Sequence, residues 1–319
     1  MQIKIFDGHS DLFTELAAEY RLTGQVDFKS KYAGHFQQGG VCGNIFVAWG
    51  DRELPIPLHK QIEDIFAVEK LLAQTDSSLS RLENRQDLAK VTETDKIYYL
   101  IGVEGLDGLE EKPQLLSWLN AQGVRHFSLT WNGDNAFAGG AMSKTGQGLT
   151  SRGKTLVKEA EKNYSFLLDV SHLNEASFWD VLRLAQKPII ASHSNSYSLC
   201  PVPRNLRDEQ LRALASVGGV VGVNSYPSFV GEQKQKQNVQ RLADHVEYMV
   251  ELMGIDHVGC GFDYNYWDKS PDKVVLSGLA QVDESQQLLW ELGQRGYKQE
   301  ELEKIARQNF WRVIKESLS

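Results

Sequence analysis

Across its 319 residues the chain has only three cysteines, an odd number. Cys42 and Cys260 fall inside apolar, strand-like runs. Buried thiols in a reducing compartment are therefore expected, and a disulfide framework or cysteine-zinc knot is excluded. No apolar stretch approaches the ~18 residues that read as a membrane span. Residues 1–5 enter a strand without a signal-type apolar core, and residues 314–319 are too polar for a lipid-anchor tail. No basic run is present, and the formal charge of 34 − 42 = −8 leaves nothing to neutralise phosphates, so nucleic acid is excluded as a partner. A cytoplasmic protein with no membrane contact is the expectation. Internal repeats and low-complexity segments are also lacking.

What is present is an ordinary large core: 41% apolar and 24% charged residues. Eight short runs rich in Val, Ile, Leu and Phe lie at about 2–7, 42–49, 97–103, 124–131, 166–171, 188–192, 219–224 and 257–262. They lack strict alternation, as expected of strands buried on both faces. Helical patterns separate most of them, at 59–74, 113–122, 153–163, 175–186 and 208–217. Ser151, Asn174 and Asp208 stand at helix starts, and Gly123 and Gly218-Gly219 at helix stops. Strand and helix alternating eight times predict one α/β domain over 1–319, a TIM-like (β/α)8 barrel. Two further helices, 281–294 and 299–317, pack on the outside or close the bottom. The polar stretch 231–240 reads as an exposed loop.

Side chains able to hold metal fall where these runs end. The first run leads into Asp7-Gly8-His9-Ser10-Asp11. In an extended segment His9 and Asp11 point to one side and reach one ion, and Gly8 permits a tight strand exit. Glu104, between Val103 and Gly105, is a carboxylate at the end of a buried strand. Burying it is costly unless it is charge-paired or metal-bound, and its place between two metal groups makes it the natural bridge of a two-metal site. His172 and His193 repeat one pattern, an apolar run followed by Ser-His. Together they read as ligands, with the serines placed to orient the rings. Asp263 ends the last strand, which a closed barrel sets beside the first. There it takes a proton from water or adds a ligand. Arg204, after two prolines on the loop beyond His193, is suited to a bidentate pair with a carboxylate, although the motif taken by itself reads more readily as a surface arginine in a loop. Trp49, Trp131 and Trp267 are placed to wall a pocket. His35, His59, His126, His245 and His257 read as ordinary.

The segments DGHSD, GVEG, DVSH, SHS, PRN and GFD, in this order and at strand exits from Asp7 to Asp263, resemble the membrane (renal) dipeptidase family, the M19 metallopeptidases. Leu129-Thr130-Trp131-Asn132 and the run from Gly219 through Tyr226 to Pro227 look like family segments too. The resemblance implies a dipeptidase with two zinc ions. His9 and Asp11 would hold one, His172 and His193 the other, and Glu104 would bridge them. Asp263 would lie by the reacting water, Arg204 would bind the dipeptide's C-terminal carboxylate, and Trp131, Asn132 and Tyr226 would line the substrate. A homodimer is common in the family, although no stretch of this chain identifies an interface. One departure stands out: animal members carry a histidine where this chain has Trp131, a feature shared with bacterial relatives. The rivals are another amidohydrolase-type barrel acting on a lactone, cyclic amide or phosphoester, and a catalytically silent peptide-binding barrel. The first usually opens with HxH and bridges through a modified lysine. The second would lack ligands, and all five ligand types are here.

Overall fold

A computed structural model describes residues 2–89, 96–264 and 274–318. Among the described residues nine strands form: β1 Ile5–Ser10, β2 Val41–Ala48, β3 Leu79–Arg81, β4 Ile97–Glu104, β5 Val124–Ser128, β6 Leu167–Asp169, β7 Ile190–Ala191, β8 Val220–Val223 and β9 Val258–Cys260. Every pairing is parallel, and β2 pairs β4 while β1 pairs β9, so eight strands close into a TIM-like barrel. The ninth, β3, runs beside only the first half of β4, at Ile97 to Tyr99, before β5 takes over that edge from Ile101. Leu79–Arg81 holds a single apolar residue, unlike the equally short β6 and β9, so it gives no apolar run in the sequence, where eight are seen.

Alternation along the strands divides the core into two layers. Phe6, Ile45, Val47, Tyr98, Leu100, Leu167, Ile190 and Val220 form the inner cluster. Their neighbours Ile5, Phe46, Tyr99, Ile101, Leu168, Ala191 and Val221 pack outward against the helices. The inner cluster is completed by Phe310, Val313 and Ile314 of the helix Asn309–Ser317, which plugs the bottom of the barrel, and by Leu318 just after it. Of the two C-terminal helices expected, the second thus closes the bottom, while Gln286–Gln294 packs with the outer layer through Leu288, Leu289 and Leu292. That plug also corrects the reason for Gly8. That residue has no positive φ, but a Cβ there would come 2.6 Å from the Phe310 ring and 2.7 Å from the Ser192 carbonyl.

Two helices absent from the sequence reading are Leu12–Thr23, which starts directly after Asp11, and Val239–Met253. The latter begins inside the stretch expected to be loop, because the Asn238 side chain caps it by accepting from Arg241 N. Ser151 opens the helix Ser151–Asn163 as a first-turn residue, with Thr150 capping it, and Asn174 caps Glu175–Leu184 as expected. Cys200 and Cys260 are buried and Cys42 half-buried, all three free. Among the described residues no helix is long and apolar enough to cross a membrane. Trp267 lies outside the described residues.

Candidate metal centre

The C-terminal ends of the strands bring the expected side chains together. His9 leaves the end of β1, where the register with β2 shifts between Asp7 and Ser10. Asp11 occupies the N-cap position of Leu12–Thr23 with φ −82° and ψ 9°, so it is not extended as the His-x-Asp spacing implied. Its carboxylate makes no capping bond and stays free for the cluster. Glu104 ends β4 and is 5% exposed. His172 and Asp263 follow β6 and β9 in left-handed backbone, φ 67° and 58°, the only non-glycine residues besides Gln114 described with positive φ. Such backbone costs about 1 kcal/mol or more and turns each side chain back over the barrel mouth.

The donors crowd at coordination spacing. Glu104 Oε1 lies 2.9 Å from His172 Nε2, 3.3 Å from His193 Nε2 and 3.5 Å from His9 Nε2. The two histidine nitrogens of His172 and His193 are 2.9 Å apart. His9 Nε2 is 3.7 Å from Asp11 Oδ1 and 3.8 Å from Asp263 Oδ1. Tetrahedral zinc with Zn–N near 2.0–2.1 Å sets its donors about 3.3 Å apart. His9, Glu104 and His193, and again His9, Asp11 and Asp263, each converge closely enough to share an ion.

Electrostatics point the same way. Both nitrogens of His9, Asp11 Oδ1 and Glu104 Oε1 are buried without a hydrogen-bond partner, a costly state that a bound cation relieves. Burial by itself would lower the His9 pKa, but Glu104, Asp11 and Asp263 push it up to about 10. Burial likewise pushes the Glu104 carboxyl well above its usual range and Asp263 up to about 6. Burial, reinforced by Arg204 and His9, holds His172 and His193 well below the ordinary histidine value. The cluster therefore sets two neutral imidazoles, His172 and His193, beside a charged His9 and carboxylates in need of positive charge, a donor set that fits a metal ion.

Above it opens a cavity of about 830 Å3, lined by Asp11, Glu104, His172 and Asp263. Trp49 and Trp131, with ring centroids 5.1 Å apart, and Tyr226 and Phe229, 4.8 Å apart, also line it. Arg204 reaches this cavity as expected, but it is no surface residue: it is 3% exposed, donates from Nη2 to His193 O at 3.3 Å, and lies 5.5 Å from the Phe229 ring. Asn132 lines the cavity and also accepts from His172 Nδ1 at 3.0 Å.

Several supporting residues escaped the sequence reading. Asn224 donates to Asp263 Oδ2 at 3.0 Å. Asp7 Oδ1 accepts from Phe262 N at 2.8 Å and from His9 N at 3.4 Å, tying β1 to the end of β9. His126, read as ordinary, is buried against Asp169. Of the two serines expected to orient the rings, Ser192 meets the ring of His193 at 2.7 Å, while Ser171 accepts from the His193 backbone at 3.2 Å.

Comparison with known proteins adds independent weight. The family model described as membrane dipeptidase (peptidase family M19) matches residues 1–318. An uncharacterized protein in the pqqA 5′ region of Klebsiella pneumoniae is 33% identical over 262 residues, 79% of this chain and 94% of its own. Dipeptidase tcpJ of Claviceps purpurea is 27% identical over 97% of this chain and 76% of its own. Among solved structures, a metallopeptidase of Rhodobacter sphaeroides bound to a phosphinate mimic of the dipeptide L-Ala-D-Ala superposes with a TM-score of 0.87. It is 22% identical and covers 99% of this chain and 100% of its own.

Proposed function

Since the chain belongs to the membrane dipeptidase family, peptidase family M19, we propose that it hydrolyses dipeptides at a centre of two zinc ions. The observation that carries this reading is the convergence of buried, unpartnered donors from His9, Asp11 and Glu104 beneath a cavity that also holds one buried arginine. His9 and Asp11 would hold one ion, His172 and His193 the other, and Glu104 would bridge them. Ions so held supply Lewis acidity and a nucleophilic water at neutral pH.

The chain's own residues do the rest. Arg204 pairs with the C-terminal carboxylate of the dipeptide, for which its buried Nε, without a hydrogen-bond partner of its own, is left to donate. This favours a short, correctly oriented peptide. Trp131 and Tyr226 flank the side chains, and Asn132 both lines the cavity and steadies His172. Asp263, held by Asn224, accepts the proton of the attacking water at its carboxylate and returns it to the leaving amine. Its raised pKa, about 6, suits a group that exchanges protons near neutrality.

The test is metal content together with hydrolysis of a panel of L,L- and L,D-dipeptides. About two zincs per chain, with cleavage lost on chelation, supports the reading. Two ions without dipeptide cleavage would move the substrate to another amidohydrolase class. No metal after reconstitution would overturn it.

A further inference from the structure

His193 is the last visible member of a buried hydrogen-bonded chain. Its Nδ1 meets Ser192 Oγ at 2.7 Å, and Ser192 Oγ in turn bonds Asp169 Oδ2. Asp169, 3% exposed at the end of β6, is otherwise engaged at both oxygens. Its Oδ1 accepts from the backbone of Ser171 at 2.8 Å and of Ser192 at 3.1 Å. His126 Nε2, from β5, meets Oδ2 at 2.9 Å. Although burial alone would raise its pKa, the bonds from His126, Ser192 and Ser171 hold Asp169 down to about 2, so it is ionised.

Donor counting then gives the chain a direction. An ionised carboxylate only accepts, so the single Ser192 proton points to Asp169. Toward His193 the hydroxyl oxygen can only accept, so the imidazole proton sits on Nδ1. The Nε2 lone pair is left facing Glu104 and His172. We propose that Asp169, acting through Ser192 and seated by His126, is a positioning residue that sets the His193 tautomer and holds its Nε2 lone pair toward the metal centre. The inference rests on the two-ion reading above.

Asp169→Asn tests the direction, because the amide cannot choose its orientation. Its oxygen must stay at the Oδ1 place, where two backbone N–H groups point, so its NH2 takes the Oδ2 place and donates to Ser192. The Ser192 proton then swings to His193 Nδ1 and drives the ring proton onto Nε2. Ser192→Ala merely removes the constraint, and Ser192→Thr keeps the hydroxyl.

Zinc affinity is measured by competition with a chelator on the full chain, beside the melting temperature of the metal-free protein. In the wild type, two bound ions are required; their absence sinks the two-ion reading, not the relay. Given two ions, Ser192→Ala should weaken one of them about 10- to 100-fold, the usual range for a residue supporting a ligand. Asp169→Asn should weaken it more than Ser192→Ala, and Ser192→Thr should bind as wild type, with all three metal-free melting temperatures near the native one. Equal native affinity in Ser192→Ala and Asp169→Asn would overturn the proposal. So would affinity losses that track melting temperature and are not rescued in Ser192→Thr, since those mark a purely structural role.

Discussion

His172 lies in left-handed backbone, borders the cavity, and bonds Asn132, a residue of the cavity wall. His193, 21 residues on, lies at the end of β7, is 1% exposed, and is bonded through Ser192 to a buried carboxylate. Behind identical Ser-His pairs, the barrel thus supports two neighbouring histidines by different means. One orientation is coupled to the space the substrate fills, and the other is sealed beneath it. A substrate-side change reaches His172 through Asn132, whereas the interior chain reaches the ring of His193 through Ser192.

The largest effects come from breaking either support outright. His172→Ala and His193→Ala should each lower kcat/KM by more than the ~100-fold upper range for supporting residues, because a donor itself is lost. Each should leave about one zinc per chain by elemental analysis. Retention of two ions by either variant would remove that histidine from the centre.

A smaller change sharpens the contrast. Asn132→Ala removes both a wall residue and the acceptor of His172 Nδ1. It should cost about 10- to 100-fold in kcat/KM, with KM raised even at saturating zinc. Ser192→Ala, buried away from the cavity, should leave KM unchanged once zinc is saturating. Equal KM values in the two variants would erase the distinction drawn here.

The smallest effect at neutral pH concerns a third buried histidine. His245 has both ring nitrogens occupied, with Nδ1 accepting from Ser196 N at 3.2 Å and Nε2 facing Val230 O at 3.0 Å. Burial lowers its pKa from 6.5 to about 4. The unfolded chain therefore takes up a proton below pH 6.5 that the folded chain refuses until about pH 4. Its stabilising contribution is whole above pH 6.5 and is lost as pH falls through this window. The full loss is on the order of 3 kcal/mol. Melting temperatures from pH 7 to 4.5 should fall more steeply for the wild type than for His245→Gln. Parallel curves would show that His245 is not a source of acid lability.

Much of this arrangement was legible in the chain. The eight barrel strands were readable because each is a short run of buried apolar residues. His9, Asp11, Glu104, His172, His193 and Asp263 were readable because each is a residue with metal chemistry at or just past the end of such a run. The replacement at Trp131 was visible as well, and so was Trp49 as a companion on the pocket wall, but not the tilted packing of the two rings across more than eighty residues. β3, with one apolar residue among its three, left no apolar run to read. His126 looked ordinary because nothing near it in sequence names Asp169, 43 residues away, as its partner. Arg204 carried no sign of its burial beside Phe229.

The sequence by itself determined the order of strands and helices and the placing of metal-type side chains at strand exits, since burial periodicity and strand termination are local properties. Only the closed barrel decided which nitrogen of each imidazole faces the centre. It also set the left-handed backbone at His172 and Asp263, and the seating of Phe310 beneath Gly8. These depend on how eight strands register around a ring and on what meets across it. Such distances are set by packing among residues far apart in the chain, and no local pattern encodes them.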